Sequence, residues 1–325
     1  MKKILLSTQE TADLLIKFNK IALICHSNPD GDTIGSAIGL SLSLSQLNKT
    51  CKVFCDEQPN EKISRFIPEN FQIYSKIEEK FDLIVAIDCG DVFRLGELSG
   101  EFSQSLNTLS IDHHNGLPYA VYNCLFNTSS TAEIILDIIK VLNVNIDSTL
   151  ANLLYLAIST DTGNFSHANT TADTLANASY LARHNVSITK VNRTFFKEIS
   201  FNRTKLLGRM LERVRSYYDG LYCLVYIMKK DLADYNCTAE DASDVVNYAI
   251  NINTAKIAVS VFEYAENVYK VSMRGKDVSI REICEFFGGG GHQFASGCQI
   301  SGFFEDVLEK IKREVEDTLS RLNLI

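Results

Sequence analysis

The chain has 325 residues, 46% hydrophobic and 22% charged, with 32 Lys and Arg against 40 Asp and Glu for a net charge of −8. These globular proportions exclude a disordered tail, a collagenous chain and a disulfide-framework miniprotein, and the length fits two domains, each able to bury its own core. The negative excess lies wholly in residues 1–188, with 13 basic and 21 acidic side chains, while residues 189–325 carry 19 of each. An acidic lobe is a poor surface for a long polyanion, so long duplex nucleic acid is not an expected partner unless bound cations reverse the field.

The lysines and short apolar run of residues 1–6 give way to Ser7-Thr8-Gln9-Glu10 too early for a secretory signal. Segment 20–25 is an apolar run suited to a buried strand, and 33–47 mixes apolar with small residues, as a closely packed helix does. Segments 51–55, 83–88 and 108–112 read as further strands, and 131–142 and 150–159 as helices. This alternation predicts an α/β lobe with a mainly parallel sheet. A helix follows at 172–183, then a linker near 184–190 and a polar-amphipathic helical stretch at 191–215. Beyond the Asp219-Gly220 turn come strands at 221–228, 256–263 and 268–274 and helices at 279–287 and 303–322, a smaller second α/β lobe. The expected domains are 1–188, a helical linker 189–215, and 216–325. Nine cysteines without a CxxC pair read as reduced thiols in a cytoplasmic protein. The longest aliphatic stretches, such as 83–87, are far short of the ~18–20 residues of a membrane helix, so no membrane contact is expected.

Four polar clusters close predicted elements, where open α/β sheets bind ligands. In His26-Ser27-Asn28-Pro29-Asp30-Gly31-Asp32 the bends at Pro29 and Gly31 let His26, Asp30 and Asp32 face one centre, although the same residues suit a helix cap. Asp88 ends a buried strand and is the stronger candidate ligand beside Asp91, which also reads as a cap. In Asp112-His113-His114 the adjacent histidines diverge, so one can bind metal while the other faces a substrate phosphate, and Asp112 can fix a ring tautomer. Asp161, in Thr160-Asp161-Thr162-Gly163, ends a helix. Gathering so many carboxylates is costly without a cation, and a pair of bridged divalent ions would resolve that cost. In the second lobe, Gly288–Gly291 followed by His292 and Ala295-Ser296-Gly297 lets the N–H groups of Gly289, Gly290 and Gly291 approach a ligand, although a glycine run alone also suits a flexible loop.

The order HxxxDxD, strand-ending Asp, DHH and TDTG resembles the DHH phosphoesterase superfamily, and GGGGHxxASG resembles its companion DHHA1 domain. The resemblance spans nearly the whole chain and is similar to the compact nanoRNase / 3′-phosphoadenosine 5′-phosphate phosphatase group. It implies a catalytic metal-binding DHH domain, a DHHA1 domain, and an active site in the cleft between the lobes. Carried over motif by motif, it implies one metal on His26, Asp30 and Asp88 and a second on Asp32, Asp88, His113 and Asp161, with Asp88 bridging. Manganese is the implied metal, and magnesium or cobalt fits the same donors. His114, with Asp112 and Asp88, would act at the scissile phosphate, while Arg274 and His292 would bind the nucleotide. The implied reaction is two-metal hydrolysis of short oligonucleotides, about two to five nucleotides long, or of 3′-phosphoadenosine 5′-phosphate to AMP and phosphate. A phosphodiesterase for cyclic di-AMP, pApA or pGpG shares all the motifs. The glycine motif argues against an inorganic pyrophosphatase or exopolyphosphatase, and the complete ligand set argues against a nucleotide sensor with dead chemistry. A homodimer is compatible with the sequence.

Overall fold

The computed structural model describes residues 3–325; Met1 and Lys2 lie outside the described residues. The chain divides into two compact units, Met1–Glu198 and Ile199–Ile325.

The strands of the first unit are β1 (Ile4–Leu5), β2 (Lys20–Cys25), β3 (Thr50–Phe54), β4 (Ile73–Tyr74), β5 (Leu83–Ile87), β6 (Thr108–Asp112) and β7 (Tyr122–Leu125). They pair in the order β1-β7-β6-β5-β2-β3-β4, every pairing parallel. Strands of such a sheet are buried on both faces, hence the unbroken apolar runs of β2 and β5. Ile21 and Leu23 enter the larger core on one face, while Ala22 and Ile24 enter a smaller one on the other. The helices are α1 (Thr8–Lys17), α2 (Gly31–Ser45), α3 (Glu61–Ser64), α4 (Ser99–Gln104), α5 (Thr131–Leu142), α6 (Ser148–Asp161), α7 (Ala172–Ala182) and α8 (Ile188–Asn192). A Ser7–Glu10 capping box starts α1, and Asp30 and Asp147 cap α2 and α6.

The small residues of α2 have a packing reason. Gly31, Gly35 and Gly39 recur every fourth position and face α6. A Cβ on Gly35 would lie 2.5 Å from the Leu153 carbonyl oxygen, and one on Gly39 would lie 3.0 Å from the Leu154 side chain. The two helices therefore meet almost backbone to backbone. Gly31, in the first turn of α2, lies against Thr160, the residue before the end of α6.

The second unit begins with α9 (Phe201–Glu212) and holds β8 (Arg215–Tyr217), β9 (Tyr222–Ile227), β10 (Ile257–Ala265), β11 (Val268–Gly275), β12 (Gly290–His292) and β13 (Ala295–Ser301) in the order β12-β13-β11-β10-β9-β8. The β9–β10 pair is parallel and the others are antiparallel. Its other helices are α10 (Lys229–Asp234), α11 (Val245–Ile250), α12 (Arg281–Phe286) and α13 (Phe304–Arg321). Val307, Ile311, Val315 and Leu319 form the apolar stripe of α13 and pack on one sheet face with Ile283 and Cys284 of α12. The opposite face packs against Leu206 and Met210 of α9 and Val245, Val246 and Ala249 of α11.

Two segments differ from the sequence reading. The helical stretch 191–215 is broken by a π-helical turn at Arg193–Lys197, Ser200 caps a new helix, and β8 starts at Arg215. The glycine motif is not an open loop: Gly290–His292 is β12, paired with β13. Among the described residues no helix is long and apolar enough to cross a membrane.

The α2–α6 crossing yields a stability prediction. Gly35→Ala gains helix propensity, about 1 kcal/mol, but overpacks a backbone contact, at about 1–3 kcal/mol. A net loss of up to about 2 kcal/mol is expected in urea unfolding. Gly100→Ala, with nothing within 4 Å of the new Cβ, should be neutral or stabilising. Equal stability of the two variants would show that the crossing is loose.

Candidate metal centre

The centre is built by strand register. Cys25 pairs with Ile87 and Ile87 with Ile111, so the next residues, His26, Asp88 and Asp112, leave three adjacent strands at one carboxyl edge. Asp88 sits at φ +60°, a left-handed conformation that Asp tolerates better than most residues. Its N–H still reaches the Ile111 carbonyl at 3.0 Å.

Two histidine nitrogens point into the centre. His26 Nδ1 lies 2.7 Å from the Ser27 carbonyl and His113 Nδ1 lies 3.2 Å from the Thr128 carbonyl. A carbonyl only accepts, so Nδ1 carries the hydrogen in both rings and, in the neutral ring, Nε2 keeps its lone pair. His26 Nε2 is 3.7 Å from Asp30 and 3.7 Å from Asp88. It is buried and has no hydrogen-bond partner, although it is an acceptor that ordinarily needs one. His113 Nε2 is 3.5 Å from Asp88 and 3.7 Å from Asp161. The adjacent histidines do not diverge as expected: their ring centroids are 4.4 Å apart, and His114 Nδ1 lies 3.6 Å from Asp88. The same Nδ1 donates to Asp112 at 2.7 Å, and this hydrogen bond raises the pKa of His114 against its partial burial and the opposing charge of Arg94.

The carboxylates are crowded. Burial lifts Asp32 well above the usual carboxylate range, and the charges of Asp161 and Asp30 add to the shift. Burial does the same for Asp88, with Asp32, Asp30 and Asp112 adding to it. Asp161 is raised by burial too, with His113 opposing. Asp30 runs the other way. Partial desolvation would raise it, but the neighbouring His26 ring and hydrogen bonds from the N–H groups of Thr33 and Asp32 hold it low. It therefore both caps α2 and faces His26.

Ligand atoms of His26, Asp30 and Asp88 all lie within 4.8 Å of one another, as do those of Asp32, His113 and Asp161 and those of Asp88, His113 and His114. Nitrogen and carboxylate donors, one of them an orphaned buried imidazole nitrogen, fit a divalent cation of the manganese or zinc type. The sequence reading missed Thr131 and the start of α5. The N–H groups of Thr131 and Ala132 donate to Asp32 at 2.7 and 3.0 Å, and Thr131 Oγ1 donates to Asp88 at 2.9 Å. The Ser-Ser-Thr run at 129–131 was a cap signal that could have pointed there.

The remaining expected site residues lie in the second unit. Arg274 on β11 pairs with Ala295, which pairs with His292, so Arg274 and His292 share one face of that sheet. Gly289 and Gly291 have no room for a side chain, because a Cβ on either would lie within 3 Å of β13 backbone.

The DHH family N-terminal domain matches residues 20–158, and the DHHA1 domain matches residues 220–321. The bifunctional oligoribonuclease and PAP phosphatase NrnA of Thermus thermophilus is 30% identical over 307 residues, covering 91% of this chain and 90% of its own. The chain belongs to the DHH family. The protein of the same name from Mycoplasma genitalium is 29% identical over 330 aligned positions, covering 94% of this chain and 98% of its own. The crystal structure of an exopolyphosphatase-related protein from Bacteroides fragilis shares the fold, with a TM-score of 0.82 at 22% identity and 97% of both chains covered. This DHH chain is a phosphoesterase, its family is metal-dependent, and its acidic cluster is a candidate cation site.

The raised carboxyl pKa values set a pH dependence. Groups whose pKa rises on folding take up protons, so the contribution of Asp32, Asp88 and Asp161 to the stability of the metal-free protein is fully present below the ordinary carboxylate pKa of about 4 and is lost as pH climbs through the raised values. Metal ligation needs the ionised forms, so a divalent cation should recover more stability at high pH. The increase in Tm on adding Mn²⁺ should be larger at pH 8 than at pH 6. Equal increments would mean that these carboxyls do not take part.

Proposed function

We infer that this DHH protein uses two divalent cations, manganese first, to hydrolyse short oligoribonucleotides and 3′-phosphoadenosine 5′-phosphate. The observation that carries the metal reading is the pair of ligand groups, His26–Asp30–Asp88 and Asp32–His113–Asp161, with Asp88 also within reach of His113. The substrate reading is supported by the relatives named oligoribonuclease and PAP phosphatase, which align over nine-tenths or more of this chain. When bound, the ions supply Lewis-acid chemistry, neutralising phosphoryl charge and making water a better nucleophile at neutral pH.

The chain's own residues do the rest. Asp88 would serve both cation positions, since it reaches His26 and His113. Thr131 holds the Asp88 carboxylate from behind, and the first N–H groups of α5 hold Asp32. Asp112, by accepting from Nδ1, favours the doubly protonated ring of His114, and in that form His114 would offer an Nε2–H to a phosphoryl oxygen, where negative charge grows as the bond breaks. Arg274 has no carboxylate partner among the described residues and bonds only the Met273 carbonyl, at 3.0 Å. Its guanidinium is therefore free to grip a substrate phosphate, with Gly290, Gly291 and the ring of His292 as the other expected contacts, whereas the Gly289 N–H, expected to face a ligand, donates instead to the Cys284 carbonyl at 2.8 Å. The expected roles, catalysis at 1–188 and substrate binding at 216–325, are assigned to the first and second units, and the linker expected at 189–215 is divided between them after Glu198.

Asp88→Asn keeps the side-chain shape and the left-handed backbone but removes the shared charge. It should lower kcat on both substrates by more than about 10³-fold, and further than Asp30→Asn or Asp161→Asn. Similar losses in all three variants would remove Asp88 from its bridging position. Arg274→Ala should raise KM by about 10-fold or more, the worth of a charge-assisted hydrogen bond, with metal content by elemental analysis unchanged. Loss of metal instead would make Arg274 structural.

A further inference from the structure

Three rows of paired residues cross the second unit's sheet on the face that carries Arg274. The first row is Ala258–Arg274–Ala295–His292, the second Ser260–Ser272–Gly297–Gly290, and the third Phe262–Lys270–Gln299. Cβ direction alternates along a strand, so all three rows share one face. The middle row is small, and it leaves a depression of about 570 Å³ lined by Tyr264, Lys270, Ser272, Gly290, Gly297 and Gln299. A smaller hollow of about 130 Å³ continues from it and shares Tyr264, Lys270 and Ser272.

The far wall of this trough carries nucleotide-recognition chemistry that the Arg274 end does not use. Lys270 is exposed and has neither an ion-pair nor a hydrogen-bond partner among the described residues. Tyr264 is 62% exposed. An unpaired ammonium beside an open aromatic ring over a small-residue floor suits one nucleotide: phosphate on the cation, base on the ring. Arg274 and Lys270 are four strand positions apart, about 13 Å, a span that the phosphates of a short extended strand cover without folding back.

We propose that Lys270 and Tyr264 form a second nucleotide subsite, engaged by oligoribonucleotides and out of reach of a single bisphosphorylated nucleoside held at Arg274. This rests on the reading of Arg274 as the first phosphate-binding group. The subsite makes substrate length a property of one sheet face. Longer substrates gain affinity from it, and 3′-phosphoadenosine 5′-phosphate does not.

The test compares KM for a pentaribonucleotide and for 3′-phosphoadenosine 5′-phosphate on the full chain with Mn²⁺. Lys270→Ala should raise the first about 10-fold relative to the second, Tyr264→Leu should do likewise through lost stacking, and Lys270→Arg should restore the ratio. Lys310→Ala, a like cation on α13, should leave the ratio unchanged. In parallel, binding of a fluorescent pentaribonucleotide to the chelated protein should lose about one unit of salt slope in Lys270→Ala. Equal changes for both substrates, or none for the pentamer, would overturn the subsite. A wild-type protein that turns over neither substrate would instead overturn the proposed function, and the binding arm would still decide the subsite.

Discussion

The first unit is organised around a repulsion. Asp32, Asp88 and Asp112 are buried at one sheet edge, with Asp30 and Asp161 beside them. Like charges in a low-dielectric setting oppose folding unless they are protonated, hydrogen-bonded or matched by cations. The protein supplies hydrogen bonds where backbone can reach. Asp32 accepts two N–H groups from the start of α5 and the Ser36 hydroxyl at 3.1 Å, so a helix N-terminus with its partial positive charge faces the most buried carboxylate. Asp88 gets one hydroxyl, from Thr131. What remains unmatched is what a cation would match.

Holding those groups in place takes a second layer. The close α2–α6 crossing sets Asp30 and Asp32, at the start of one helix, against Asp161, at the end of the other. The loop before α5 is fixed by the buried Glu133, which accepts from the Ser129 N–H and hydroxyl, from Thr174 at 2.9 Å and from Asn177 at 2.8 Å. Asn169 ties that loop to the end of α6 by donating to the carbonyls of Ser129 and Asp161 at 3.0 and 3.3 Å. Elements far apart in sequence are thus locked by polar groups that never touch a substrate. Such support holds ligand geometry without the cost of reorganisation.

Much of this was legible because strand ends are written plainly. A buried parallel strand is an apolar run, and the first polar residue after it sits at the carboxyl edge, so His26, Asp88 and Asp112 could be placed before their neighbours were known. The two readings offered for Asp30, helix cap and inward-facing carboxylate, are both true of the structure. The contributions of Thr131 and Ala132 were not legible, because they come largely from backbone N–H groups and any residue supplies one. The broken helix at 191–215 was missed because its residues keep helical propensity on both sides of a turn set by tertiary packing, Phe195 against Phe66 at 5.6 Å. The glycine motif looked like loop because glycine disfavours strands. The structure uses it as β12 because its absent side chains let it lie against β13.

Charge is divided in a way that bears on how an anionic substrate is met. The carboxylate-rich edge of the first unit attracts cations and repels phosphate while it is empty of them. Its own groups near that edge able to carry positive charge, His114 and Arg94, are few, and the pKa of His114 is raised by the aspartate beside it. Arg274 and Lys270, neither with a carboxylate partner among the described residues, belong to the second unit, whose net charge is close to zero. On the proposed reading, a phosphate ester would gain little from the first unit until divalent ions had neutralised it, whereas Arg274 and Lys270 of the second unit would meet nucleotide phosphates without metal. Metal binding and substrate binding would then be coupled through electrostatics at the first unit and independent at the second. The same carboxylates that would hold the ions would also keep nucleotides off that edge until it was loaded.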